Sequence, residues 1–399
     1  MGVVATVRDV AVRAGVSVGT VSNALNKPER VSEDTAARVM EAVRELGFVR
    51  NDAARQLRLG QSRAIGMVML DMRNPFFASL ALGAGDRVRE LGHAIVLGNS
   101  DLKGDREAAY LDLFEEQRLR GVLISPFGAV EDRLLRLRER GASAVIVDSI
   151  GTAEVSSVSV DDVVGGRLVG RHLLETGRHH VAYVSGPLKV RQVQDRLSGL
   201  QKAMQAGSGT TVEIVTAGVM SIPEGRRCGE LLASRSPGRR PDAVFASNDL
   251  LALGALHALV TGGVRVPEEV AVVGYDDIDF ASAAIVPLTS VRQPAARIGA
   301  SAVNMLIEET EGSEPGGCHK VFEPELVVRQ SSVPSNELLK RQASWTAPNS
   351  ASSHRKRNVP ARVELMLPRD PCTIRSAQVR QQLGLCGRQV RSLRTVAAV

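Results

Sequence analysis

Ser17 is the first residue whose setting suggests chemistry, because Gly15-Val16-Ser17-Val18-Gly19 has the GxSxG spacing of a serine-hydrolase nucleophile elbow. Such an elbow needs a buried strand before it, and an acid and a histidine downstream. Here VRDVAVRA precedes, with Val7, Val10, Ala11 and Ala14 on one helical face, and strand-like apolar runs begin only at Ala64. A hydrolase is therefore not expected. Other reactive patterns fail similarly: the four cysteines, Cys228, Cys318, Cys372 and Cys386, form no CxxC pair. The seven histidines give no HExxH or HxxxH pair, so no metal site is expected. Gly83-Ala84-Gly85 lies within a helical pattern and lacks the third glycine of a dinucleotide loop, and GxxxxGK[ST] is absent. What remains is polar chemistry at the ends of apolar runs. Asp148 closes AVIVD, Asn248 follows AVFAS and Asp276 follows VAVVGY. The carboxyl ends of parallel strands are where open α/β sheets bind ligands, so these residues suit binding rather than turnover.

The elements that must hold them fall into two regimes. Gly15 supplies a turn after the first short helix, Ser17 is placed to cap a second over Val18 to Leu25, and Ser32 caps a third that stops at Gly47. Val10, Val16 and Val21 would form its small core with Val39, Met40, Val43 and Leu46, and small Ala11 admits the second helix closely. This is the layout of a helix-turn-helix, whose second helix presents its N-terminal residues to the major groove. From Arg63 onward, apolar runs (64–70, 93–98, 121–125, 144–148, 180–185, 243–246, 270–274) alternate with amphipathic stretches (78–91, 105–117, 132–140, 165–175, 249–260, 295–308). That rhythm predicts parallel sheets covered on both faces, and its extent exceeds one sheet, so two doubly wound lobes with a cleft between them are expected.

The 399-residue chain carries a net charge of +6, with 44% hydrophobic and 24% charged residues, an ordinary globular composition. Residues 335–399 hold 12 Lys and Arg against 3 Asp and Glu, whereas residues 1–334 hold 38 against 41, so the basic excess belongs to the tail. A DNA argument must therefore rest on the local motif, since residues 1–60 carry only 9 basic against 7 acidic side chains. Polar, basic and Pro/Ser-rich sequence after Pro334 predicts a disordered tail, without the heptad of a coiled coil. No run approaches the ~20 apolar residues of a membrane span, and the first residues lack an apolar signal core, so a cytoplasmic protein is expected.

With VRDVAVRAGVSVGTVSNALN, ARVMEAVRELGFVRNDAARQL, DMRNPFF, VSGP, DRLSGL, SNDLLALGALHAL, VAVVGYDDID and LTSVRQP in order, the chain resembles the lac-repressor/purine-repressor family of bacterial transcription regulators. The resemblance runs over roughly residues 5–332 and stops at the tail. It implies an α/β fold with an all-α DNA-binding headpiece (1–50), a hinge helix and linker (51–62), two periplasmic-binding-protein-like lobes (63–334) that dimerise and bind a small effector, and the tail (335–399). It implies no cofactor and no catalytic residues.

By that resemblance Val18, Gly19 and Asn23 face bases, while Ser17, Thr20, Ser22 and Asn26 hold phosphates and set register. Asn23 can pair with adenine N6 and N7 and Val18 can pack on a thymine methyl, but Gly19 offers no side chain to read with. In NDAARQLRL, Leu57 occupies the position of a minor-groove wedge, Ala53 and Ala54 permit close approach, and Arg58 can meet phosphate. The resemblance assigns effector contacts to Asp148, Asn248, Asp276 and Arg196, with Gln293 near the lobe crossover and Phe76 at the mouth. Carboxylates, an amide and a guanidinium suit a ring of hydroxyls, hence a sugar-like effector, with a nucleoside or other metabolite as the alternative. Aromatic stacking would fall to Phe76, Phe77, Phe127 or Tyr275, since the one Trp, Trp345, is in the tail. The expected function is a dimeric repressor on a pseudo-palindromic operator, without membrane attachment; the alternative is a cytoplasmic sugar-binding protein with a degenerate headpiece.

Overall fold

The computed structural model of the chain describes residues 5–48, 62–312 and 317–334. The expected hinge residues Ala53, Ala54, Leu57 and Arg58, and the tail after Pro334, lie outside the described residues.

Three helices form the N-terminal unit: α1 (Val7–Ala14), α2 (Val18–Asn26) and α3 (Glu33–Glu45). Thr6 and Asp9 form a reciprocal capping box at the start of α1. Gly15 then turns the chain with φ +67°, a left-handed conformation that costs glycine little. Ser17 caps α2 by accepting the Thr20 N–H at 3.0 Å, and Ser32 caps α3. Val10, Ala11, Ala14, Val21, Ala24, Val39 and Ala42 make the core, with Val16, Val43 and Leu46 packed against it. Met40, expected inward, is 45% exposed, because the α3 stripe that meets α1 and α2 runs through Val39, Ala42 and Val43.

From Ala64 the chain builds two six-stranded sheets. The first lobe contains β1 (Ala64–Met69), α4 (Pro75–Glu90), β2 (Ala94–Asn99), α5 (Gly104–Glu116), β3 (Gly121–Ile124), α6 (Glu131–Glu139), β4 (Ser143–Val147) and β5 (Ser157–Val160). The second contains α7 (Asp162–Glu175), β6 (His180–Ser185), α8 (Arg191–Met204), β7 (Thr211–Thr216), α9 (Ile222–Ala233), β8 (Ala243–Ala246), α10 (Asp249–Thr261), β9 (Ala271–Asp276), α11 (Asp279–Ala283) and β10 (Thr289–Arg292). The chain then returns: α12 (Ala295–Thr310) packs on α4, and β11 (His319–Phe322) joins the first sheet, while β12 (Glu325–Val327) joins the second.

Strand order is β11-β5-β4-β3-β1-β2 in one sheet, all parallel, and β12-β10-β9-β8-β6-β7 in the other, parallel except for β12. The central strands β3, β8 and β9 are buried at every residue, which explains their unbroken apolar runs. Three crossovers therefore join the lobes: at Asp161, at Gln293-Pro294 and at Glu323-Pro324. Helices α7 and α8 approach until a Cβ on Gly166 would stand 2.0 Å from the Arg196 carbonyl oxygen, and one on Gly199 would stand 2.1 Å from that of Val163. This glycine-to-backbone crossing seats Arg196 against the lobe interface.

Candidate functional site

Between the lobes, loops at the carboxyl ends of the strands bring polar side chains together. Asp148 follows β4 in the first lobe and Asp276 ends β9 in the second; both have positive φ, +60° and +108°. Aspartate tolerates the left-handed region better than most residues, and such backbone settings gather at ligand sites. Phe76 lies in the first turn of α4, whose N-cap Asn74 accepts the Phe76 N–H at 3.1 Å. The same Asn74 spans the lobes, its Nδ2 donating to Asp276 Oδ2 at 2.7 Å. A second bridge runs the other way, from Gln192 Nε2 of α8 to Asp148 Oδ2 at 2.9 Å. Gln293, at a crossover, donates to Asp276 Oδ1 at 2.8 Å. Asn248 caps α10 by accepting the Leu251 N–H at 3.0 Å.

Among the described residues, Arg196 is the one cation lining this cluster. Its Nε meets Asp162 at 2.8 Å and an Nη donates to the Ser247 carbonyl at 2.6 Å, while Asp276 lies 3.8 Å away. The guanidinium also stacks 3.7 Å from the centre of the Tyr275 ring. Burial lifts the carboxyl of Asp148 well above the usual range, with Asp162 nearby adding to the rise and Arg196 opposing it. Asp276 is pushed up to about 6, again by burial, against the opposing pull of Arg196 and the bonds from Asn74 and Gln293.

Phe76, Asp148, Arg196, Asn248 and Asp276 thus line one narrow cavity of about 20 Å³, with Asn74, Phe77, Val190, Gln192 and Met220 beside them. That is room for one water, so a sugar-sized molecule enters only if the lobes part. Gln293 instead lines an adjoining recess of about 270 Å³, which shares Phe76 and Asp276 with the cavity. Of the aromatic candidates, Phe76 and Phe77 face the cavity with ring centres 5.2 Å apart; Tyr275 lies buried under Arg196, and Phe127 is not in the lining. Sequence reasoning missed Asn74 and Gln192. Gln192 precedes Arg196 by one helical turn, so the same face of α8 was a usable signal. Asn74, as the cap before Pro75, was another.

In the N-terminal unit Val18, Gly19 and Asn23 are exposed along α2. The Asn23 side chain has no internal hydrogen bond among the described residues, and the Gly19 Cβ position opens to solvent, its nearest atom being Ser17 Oγ at 3.6 Å. Ser17 and Thr20 hydroxyls bond to each other at 2.9 Å, and Asn26 Nδ2 donates to the Ser22 carbonyl at 2.8 Å. Ser17 caps a helix and follows no strand, which removes the nucleophile-elbow setting.

This arrangement, a helix-turn-helix ahead of two crossover-linked lobes, has known counterparts. A model described as bacterial regulatory proteins, lacI family, matches residues 6–51, and one for a periplasmic binding protein-like domain matches residues 171–332. The HTH-type transcriptional repressor PurR of Aliivibrio fischeri is 32% identical over 336 residues, covering 82% of this chain and 98% of that protein. The chain belongs to the lacI family of bacterial regulatory proteins. Among solved structures, a lac repressor dimer bound to operator and the anti-inducer ONPF superposes with TM-score 0.74 at 27% identity, covering 83% of this chain and 100% of that one. A complex of the transcriptional regulator CelR with cellobiose gives 0.61 at 32% identity, covering 82% of this chain and 100% of that one. As a lacI-family member the chain is a DNA-binding transcription regulator with an effector domain, and not an enzyme. No helix among the described residues is long and apolar enough to cross a membrane.

Proposed function

We propose that this regulator acts as a repressor, gripping a pseudo-palindromic operator as a homodimer, and that a sugar-class effector held between the lobes sets its affinity for DNA. The observation that carries this reading is the buried cluster of Asp148, Asn248, Arg196 and Asp276 between two lobes, on the same chain as a helix-turn-helix with an exposed recognition face.

Asn23, without an internal partner among the described residues, reads adenine; Val18 packs on a thymine methyl; Gly19 lets the backbone come close. Ser17, Thr20, Ser22 and Asn26 set register on phosphates, and Leu57, Ala53, Ala54 and Arg58 serve the minor groove as the hinge. Exposed apolar side chains support the dimer: Leu82 on α4, Val96 and Leu97 on the edge strand β2, and Phe280 and Ile285 in the second lobe. So does the dimeric, operator-bound state of the lac repressor neighbour. The cellobiose bound to the CelR neighbour supports the sugar class. Coupling follows from the cross-lobe bonds Asn74 to Asp276 and Gln192 to Asp148: an effector that replaces them shifts the lobes, and with them the segment leading to the headpiece.

The test is selection of bound duplexes from a random DNA library by the purified full chain. One enriched pseudo-palindrome is expected. Enrichment of lone half-sites would remove the dimer, and no enrichment, with or without a pooled metabolite extract, would favour a ligand-binding protein whose headpiece does not read DNA.

A further inference from the structure

We propose that the effector is an uncharged or cationic molecule rich in hydrogen-bond donors, selected by Gln192 together with Asp148, and that anionic compounds such as sugar phosphates are refused. The proposal rests on the effector reading above and narrows it.

Three buried amides have orientations set by the groups they face. While Asp148 and Asp276 are ionised their oxygens accept, so Gln192 turns Nε2 to Asp148 and Gln293 turns Nε2 to Asp276. Asn248 must turn Oδ1 to the Leu251 N–H. The leftovers follow. Gln192 Oε1, Gln293 Oε1, Asp148 Oδ1 and Asn248 Nδ2 are all buried without a partner among the described residues. Three are acceptors and one is a donor.

Buried orphans of this kind are costly, and a ligand that satisfies them is bound for doing so. Hydroxyl or amine N–H groups can meet the three acceptors; a phosphate or carboxylate brings acceptors alone and can satisfy only Asn248. A proton taken up by Asp148 would turn one acceptor into a donor, and the cluster would still have no positive excess.

The charges point the same way. Asp148, Asp162 and Asp276 are buried around a single guanidinium, Arg196. That cation is already engaged by Asp162, the Ser247 carbonyl and the Tyr275 ring, and among the described residues no other Lys or Arg lines the cavity. An anion brought here is desolvated with no uncommitted cation to compensate it. In the adjoining recess Asp277 is held by Arg292 and Arg329, and Asp276 and Asp279 stand beside Arg297, so the recess carries no excess of positive charge either. Gln192 is the selective element because it meets Asp148 across the lobes, so a ligand seated between the two faces its amide oxygen and the Asp148 carboxyl together.

The experiment measures the melting temperature of the full chain with millimolar glucose, glucosamine, glucose 6-phosphate, ribose, ribose 5-phosphate and cellobiose. A bacterial small-molecule extract, split on an anion exchanger into flow-through and retained fractions, is tested beside them. Stabilisation by the neutral or amine probes, or by the flow-through, is expected. Against whichever probe or fraction acts, Gln192→Leu should need at least about tenfold more for the same shift. A phosphate ester or the retained fraction stabilising as well as its neutral counterpart would overturn the proposal while leaving the effector reading intact. No shift from any sample would overturn the effector reading and this proposal with it, and an unaltered response of Gln192→Leu would remove Gln192 from selection.

Discussion

Asp276 accepts hydrogen bonds from Asn74 and Gln293 and lies 3.8 Å from Arg196, yet desolvation prevails and raises its carboxyl from 3.8 to about 6. The folded protein therefore binds more protons at this site than the unfolded chain between those two values. The contribution to stability is most favourable at the acid end of the window and is lost as pH rises through about 6. His93 and His319 act in the opposite sense, since burial pushes both below the ordinary 6.5 and acid then favours the unfolded chain. The informative quantity is thus a difference. The melting temperature of the wild type minus that of Asp276→Asn should increase when pH falls from about 7.5 to about 5, and a constant difference would contradict the raised carboxyl. Residue types at this site were legible, because Asp148, Asn248 and Asp276 stand at the ends of apolar runs. Their partners were not: Asn74 and Asp276 are 202 positions apart.

At the scale of elements, two glycines four residues apart in the headpiece should respond in opposite directions to one added methyl. Gly15 has φ +67° with open space around the Cβ position, so Gly15→Ala meets no clash and costs only backbone strain, about 1 kcal/mol. Gly19 is helical with its nearest neighbour at 3.6 Å, so Gly19→Ala should stabilise the recognition helix by up to about 1 kcal/mol. Hydrogen exchange of the headpiece helix amides checks both signs. Helices with clear stripes and strands with unbroken apolar runs were readable, with bounds displaced by a few residues. Strands β5 and β10, SVSV and TSVR, were not, because they bury hydroxyls. Ser157 bonds to His319, Ser290 to Asp249 and Thr289 to Ser332, and only these tertiary partners make a polar strand stable inside a sheet. Strand β11 had no local signal at all; it pairs with β5 from far along the chain.

For the whole molecule, the charge distribution makes a separable prediction. The +9 of residues 335–399 acts on phosphates irrespective of base sequence, so any effect on DNA binding falls equally on operator and random duplexes. Truncation after Pro334 should leave the ratio of the two affinities within about threefold, with at most a shallower salt dependence. A collapse of that ratio, measured by competition at several salt concentrations, would assign the tail a part in discrimination. The sequence by itself determined the helix-turn-helix, the alternation that demands two parallel sheets, the family, and the types of residue at the strand ends. All of these are local patterns, set by side-chain period, caps and turn residues over a few neighbours. Tertiary structure alone decided which polar groups meet across the lobes, which of their atoms stay unpaired, and that Arg196 is committed before any ligand arrives. Those outcomes depend on desolvation and on partners brought together by three chain crossovers, and neither is written in any short stretch of residues.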